Sequence, residues 1–157
     1  MNESKPKSAC YNLPPLVGVV TPLLTFFAVE VATGTYSVGG IIIEAIKHFI
    51  VLLLATITGT IPFVALSVGL YLVRNHPARV SYLICSVGLV GVTGLTVLGN
   101  VAYWYPFYAG ERVSSTAGLV FLFIPIYGCM AAVAAFLVGL LASLMPWFRH
   151  GREIPAR

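Results

Sequence analysis

Glu30 is the residue whose chemistry needs explaining first. It stands in FFAVEVATGTY (26–36), after a stretch from Leu13 to Val29 with no charged side chain. A carboxylate there can anchor its helix against the bundle or the outer loops, within reach of Lys47 or Arg112, or bind a proton or a cation, or only mark where the helix leaves the hydrocarbon. At the bilayer centre it would cost about 2.5–3.5 kcal/mol, and less toward a headgroup layer. Other candidates cluster in the loops. In IIIEAIKHF (41–49), Glu44 can reach Lys47 and His48 at i+3 and i+4 on a helix. Glu111 and Arg112 follow YWYPFY (103–108). If Glu30, Glu44, Lys47, Trp104, Glu111 and Arg112 meet at one membrane face, they form either an interfacial belt with a few exposed charges or a docking surface, since aromatic and Arg side chains dominate interface hot spots.

Thr56, Thr58 and Thr60 precede Pro62. Their hydroxyls can bond carbonyls that the proline leaves free, or they can line an ion path. His48, His76 and His150 fall on different sides of the expected topology, which argues against one metal or haem site. Cys10, Cys85 and Cys129 form no CxxC pair and read as small packing residues. No phosphate-binding glycine loop, Ser-His-Asp set, HExxH or pair of intramembrane carboxylates occurs. The expectation is a non-enzymatic protein without a cofactor or metal.

The elements that would position these residues are apolar helices. The 157-residue chain is 59% hydrophobic and 9% charged. A soluble domain carries roughly 25% charged residues, so this chain cannot coat a water-facing surface of its size. A spanning helix needs about 20 apolar residues. Four such stretches fit, approximately 13–32, 49–73, 80–103 and 116–148, leaving no room for a soluble domain. The fold class expected is all-α: a single polytopic four-helix transmembrane bundle over residues 1–157, with short loops. Lys5 and Lys7 before the first stretch resemble a signal peptide, but a cut after Ala32 would put Glu30 at the −3 position. An uncleaved first helix fits better. Pro14 and Pro15 suit its first turn, and Pro22 should kink it. YWYPFYAGERVSS (103–115) reads as a loop, and Ser114, Ser115 or Thr116 can cap the last helix.

Small residues set the expected packing. Gly128, Ala132, Ala135, Gly139 and Ala142 recur at steps of 4, 3, 4 and 3, which places them on one helical stripe. Such stripes let backbones approach closely in lipid. Ser81, Cys85, Gly88 and Gly99 form a plausible mating face, with Gly91 and Gly94 beside it.

Orientation follows from charge. Lys5, Lys7, Arg74, Arg79, Arg149, Arg152 and Arg157 fall on one side of a four-helix topology, and Lys47 and Arg112 on the other. Lys and Arg collect in the cytoplasm, so both termini are expected there, in a multi-pass protein of the plasma (inner) membrane. The net charge of +4 is therefore a matter of topology, and no nucleic-acid partner is implied. Besides the lipid bilayer, the expected partner is another membrane protein or a second copy of the chain. The leading functional expectation is an interaction protein, either an accessory subunit of a membrane complex or an immunity-type binder of a membrane-acting partner. The alternative is a small oligomeric transporter or channel with Glu30 and the threonines of 56–60 in its path.

Overall fold

The computed structural model describes residues 9–34, 38–74, 78–110 and 117–145. Its helices are α1 (Ala9–Thr33), α2 (Val38–Lys47), α3 (Phe49–Leu72), α4 (Ala78–Tyr108) and α5 (Val120–Leu144), with a 3₁₀ turn at Ala117–Leu119. Of these, α1, α3, α4 and α5 are long and apolar enough to cross a membrane. Helix α4 has 31 residues, or about 46 Å at 1.5 Å per residue, so it outruns a hydrocarbon core of about 30 Å.

The boundaries depart from the sequence reading in informative ways. Helix α1 begins at Ala9, so Pro14 and Pro15 are interior and not in the first turn. The segment containing IIIEAIK is a separate helix, α2, and His48 is the joint that leads into α3. The joint stays hydrogen-bonded, with His48 N–H donating to the Glu44 carbonyl at 2.9 Å and Leu52 N–H to the His48 carbonyl at 2.9 Å. YWYPFY is helical and ends α4, despite Pro106. Proline bars its predecessor from helix only weakly when tertiary packing compensates, and Trp104 and Tyr108, four apart, both bury themselves. Gly34 (φ +64°) and Gly110 (φ +75°) take the left-handed conformation just past α1 and α4, where a Cβ would be strained. Helix α5 starts after the 3₁₀ turn with no side-chain cap at Leu119; Ser114, Ser115 and Thr116 lie outside the described residues.

Helix α3 packs between α1 and α5, α4 packs between α5 and α1, and α3 and α4 approach each other more lightly across the centre. The buried residues of α5 are Phe121, Ile124, Gly128, Ala132, Ala135, Gly139 and Ala142. This stripe faces the inside of the bundle. A methyl added at Gly128 would come within 2.5 Å of the Pro62 ring, and one at Gly99 within 2.6 Å of Ile124. Gly139 and Gly88 are closer still to Ile84 and Leu66. Each glycine is the hole for a neighbouring knob, which is how apolar helices gain contact where lipid offers no hydrophobic drive. Gly94 faces open space.

The threonines do not serve the proline. Thr56, Thr58 and Thr60 donate to the carbonyls of Leu52, Leu54 and Thr56 at 2.7, 2.8 and 2.6 Å, each one turn back on its own helix. Pro62 frees the carbonyl of residue 58, and none of these hydroxyls reaches it. A Thr hydroxyl finds its own i−4 carbonyl with little side-chain reorganisation, so the local bond wins.

Candidate functional site

Burial on α1 comes in adjacent pairs: Thr21 and Pro22, Thr25 and Phe26, Val29 and Glu30. Glu30 therefore continues the inward stripe of its helix, four residues past Phe26. It is 0% exposed. It lies three residues from the end of α1, so it is sealed inside the bundle yet close to one end of it.

Its neighbourhood is aromatic. Phe26, Val29, Leu52, Trp104 and Tyr108 form one buried cluster. The Phe26 ring meets Trp104 edge-on at 4.9 Å and Tyr108 at 6.0 Å between centroids. Trp104 and Tyr108 stack at 6.0 Å. Among the described residues, neither carboxyl oxygen of Glu30 has a partner at hydrogen-bonding geometry. Among the described residues, the Tyr108 hydroxyl from α4 is turned toward it, and Glu44 on α2 and His48 at the α2–α3 joint lie at the same end of the bundle.

Glu44 is nearly buried and is held from both sides. Lys47 Nζ pairs with its Oε1, and His48 Nε2 stands 3.5 Å from its Oε2. Lys47 thus binds Glu44 and not Glu30, and no basic side chain among the described residues stands at ion-pair distance from Glu30. The His48 ring lies edge-on to Trp104 at 5.9 Å and to Phe107 at 5.0 Å.

Two further buried polar atoms lie deeper along α4. Asn100 donates its amide N–H to the Thr96 carbonyl at 2.8 Å, which leaves its Oδ1 without a partner. Trp104 Nε1 has no acceptor among the described residues. Thr96, Asn100, Trp104 and Tyr108 follow at steps of four and are all buried. Asn100 is absent from the sequence-derived candidates, although an Asn inside an apolar helix is a costly residue that usually needs a partner. Its place one turn before Trp104 was the available signal.

The residues expected at a docking surface take different positions. Glu30, Glu44 and Trp104 point into the bundle, at 0, 8 and 1% exposure. Of that set, Lys47 is exposed, and Glu111 and Arg112 lie outside the described residues. The threonines also fail to make a polar lining. Thr56 and Thr60 border a groove of about 460 Å³ between α1 and α3, but its other walls are Val19, Ile57, Ile61 and Val64 and its lining is almost wholly apolar. A second apolar groove, of about 220 Å³, runs between α3 and α5 beside Gly69 and Phe136. Neither touches Glu30. Among the described residues, no three His, Cys, Asp or Glu side chains gather to hold a metal ion.

The fold and this cluster define an all-helical protein with four helices of membrane-spanning length and apolarity. No protein-family model matches the chain, and no curated protein or solved structure is detectably similar to it.

Proposed function

We propose that this chain is a multi-pass protein of the plasma (inner) membrane, with both termini cytoplasmic, that takes up a proton or small cation at Glu30. It would act as a small oligomeric transporter or channel. One observation carries this reading: among the described residues, this fully buried carboxyl has no ion-pair partner, and the Tyr108 hydroxyl is the polar group turned toward it. An acid that only anchors a helix is normally paired, because an unsatisfied buried polar group costs about 1–3 kcal/mol and a charge costs more. Retaining such a group makes sense when it changes its protonation or binds a cation.

The test is flux. Purified protein is reconstituted in vesicles holding a pH-sensitive dye, and a pH step is applied under a potassium diffusion potential. Wild type should pass protons, and Glu30→Gln, which keeps the shape but not the charge, should not. Equal rates in both would overturn the reading. Reporter fusions check orientation: residue 77 and the C-terminus should read cytoplasmic, and residues 38 and 110 external.

The interaction-protein reading, as an accessory subunit or immunity-type binder, has one observation in its favour. Ile42, Ile43 and Ile46 on α2 are all more than half exposed, and α2 packs only sparsely against α3. Purification in mild detergent with mass measurement separates the two. A second kind of chain co-purifying at fixed ratio supports the binder, and a homo-oligomer supports the transporter.

A further inference from the structure

Helix α2 carries its polar side inward and its apolar side outward. Glu44 is nearly buried, and Ala45 packs against the aromatic cluster of Phe26, Trp104 and Tyr108. Ile42, Ile43 and Ile46 are 58, 56 and 69% exposed. Both faces continue past the joint into α3. Glu44, His48 and Leu52 follow at steps of four on the inner side, joined by the backbone bonds that run through His48. On the outer side, Ile42 and Ile43 are succeeded by Ile46, by Phe49 and Ile50, and by Leu53, all exposed and spaced by three or four. The outer face of α2 is thus the end of a stripe that belongs to a helix long and apolar enough to cross a membrane.

Depth along the bundle comes from α4. Tyr105 and Phe107 are exposed near its end, and exposed aromatic side chains of a spanning helix collect at the headgroup level. The His48 ring stands 5.0 Å from that of Phe107, so the α2–α3 joint lies at the same level. Laid straight, Val38 to Leu72 would reach about 52 Å, more than the roughly 40–45 Å of a bilayer with its headgroups, and the isoleucines would rise into water. The joint is not straight: His48, at φ −97° and ψ 16°, leaves helical geometry. Resting on the multi-pass reading of the chain, we propose that α2 lies along one leaflet, with its Ile42–Ile43–Ile46 face docked into acyl chains just beneath the headgroups. Lipid fits this face better than a protein partner does, because the apolar stripe runs without a break into the outer face of α3. Glu44 stays on the bundle side, its charge matched by Lys47, and the exposed Lys47 side chain lies along the helix with its ammonium at the headgroup layer.

Photolabelling from the lipid tests this on the unaltered full chain. The protein is reconstituted in phosphatidylcholine vesicles that carry a trace of a phospholipid with a diazirine on its acyl chain, either near the ester or at the terminal methyl. After illumination, the labelled positions are read by peptide mass spectrometry. An interfacial helix sits about 5–10 Å into the headgroup–acyl boundary, so the shallow probe should label Ile42, Ile43 and Ile46 within about twofold of Ile50 and Leu53. The terminal probe should instead favour Ile57 and Ile61, near the middle of α3. Unlabelled isoleucines on α2 beside a labelled α3 would overturn the proposal, whether the face is in water or covered by a second copy or another protein. Preference of Ile43 for the terminal probe would overturn it too, since α2 would then lie in the bilayer interior. Failure of the multi-pass reading looks different: Ile57, Ile61 and the exposed Leu141 of α5 would also go unlabelled by both probes.

Discussion

Near the turn from α3 to α4, the buried side chains are Phe63, Leu66, Leu70, Val73, Val80 and Ile84, with Cys85 and Ser81 beside them. Shape does the work there, with Leu66 set over Gly88 and Ile84 over Gly139. At the opposite end, Phe26, Trp104 and Tyr108 enclose a carboxyl, and nearby Asn100 and Trp104 each keep a polar atom without a partner. The first end is built for close contact. It too holds one buried polar atom without a partner among the described residues, Ser81 Oγ, whereas the second end gathers several, both Glu30 oxygens among them. In a chain with so few charged residues, that contrast is what the proposed role of Glu30 rests on.

The largest effect is expected from overfilling the close-contact end. Gly139→Leu should cost about 3 kcal/mol or more, because Ile84 already fills the space. Heating before size-exclusion chromatography should leave little monodisperse protein. Trp104→Ala, at the carboxyl end, should cost about 3 kcal/mol through the cavity it opens, and should make Glu30 accessible to water. Thermal unfolding in detergent measures the first effect, and a carboxyl-reactive carbodiimide followed by mass spectrometry measures the second. Smaller and opposite in sign are two glycine replacements. Gly128→Ala should destabilise by about 1–3 kcal/mol against Pro62, whereas Gly94→Ala should be neutral or stabilise by up to about 1 kcal/mol, since it faces open space. Least of all, Leu141→Ala on the exposed side of α5 should stay within about 0.5 kcal/mol. Similar losses for Gly139→Leu and Leu141→Ala would erase the distinction between the buried and exposed faces of α5.

These two ends were not equally legible in the sequence. The number and apolarity of the long helices follow from composition alone, because stretches of about 20 apolar residues have few other uses. Small residues spaced by three and four on α5 can be read the same way, since only one helical face collects them. The carboxyl end is harder. Pro106 amid YWYPFY looks like a turn until Trp104 and Tyr108 are seen to have Phe26 as a common neighbour, some eighty residues away in sequence. Lys47 is the cation nearest to Glu30 in sequence on that side, but a helix places it three residues from Glu44, and it pairs there. Long-range aromatic packing and competition between acids for one lysine are not encoded in spacing.

The account rests on Glu30 being retained for its protonation chemistry at some expense in stability. The most direct measurement is the thermal unfolding midpoint of Glu30→Met in the same detergent as wild type. Met matches the length of Glu and brings no polar atom into the Phe26–Trp104–Tyr108 cluster. Removing an unsatisfied buried carboxyl should stabilise the fold by about 1–3 kcal/mol, so the midpoint should rise. A midpoint several degrees below wild type would contradict the account, because it would mean that the carboxyl holds α1 in place.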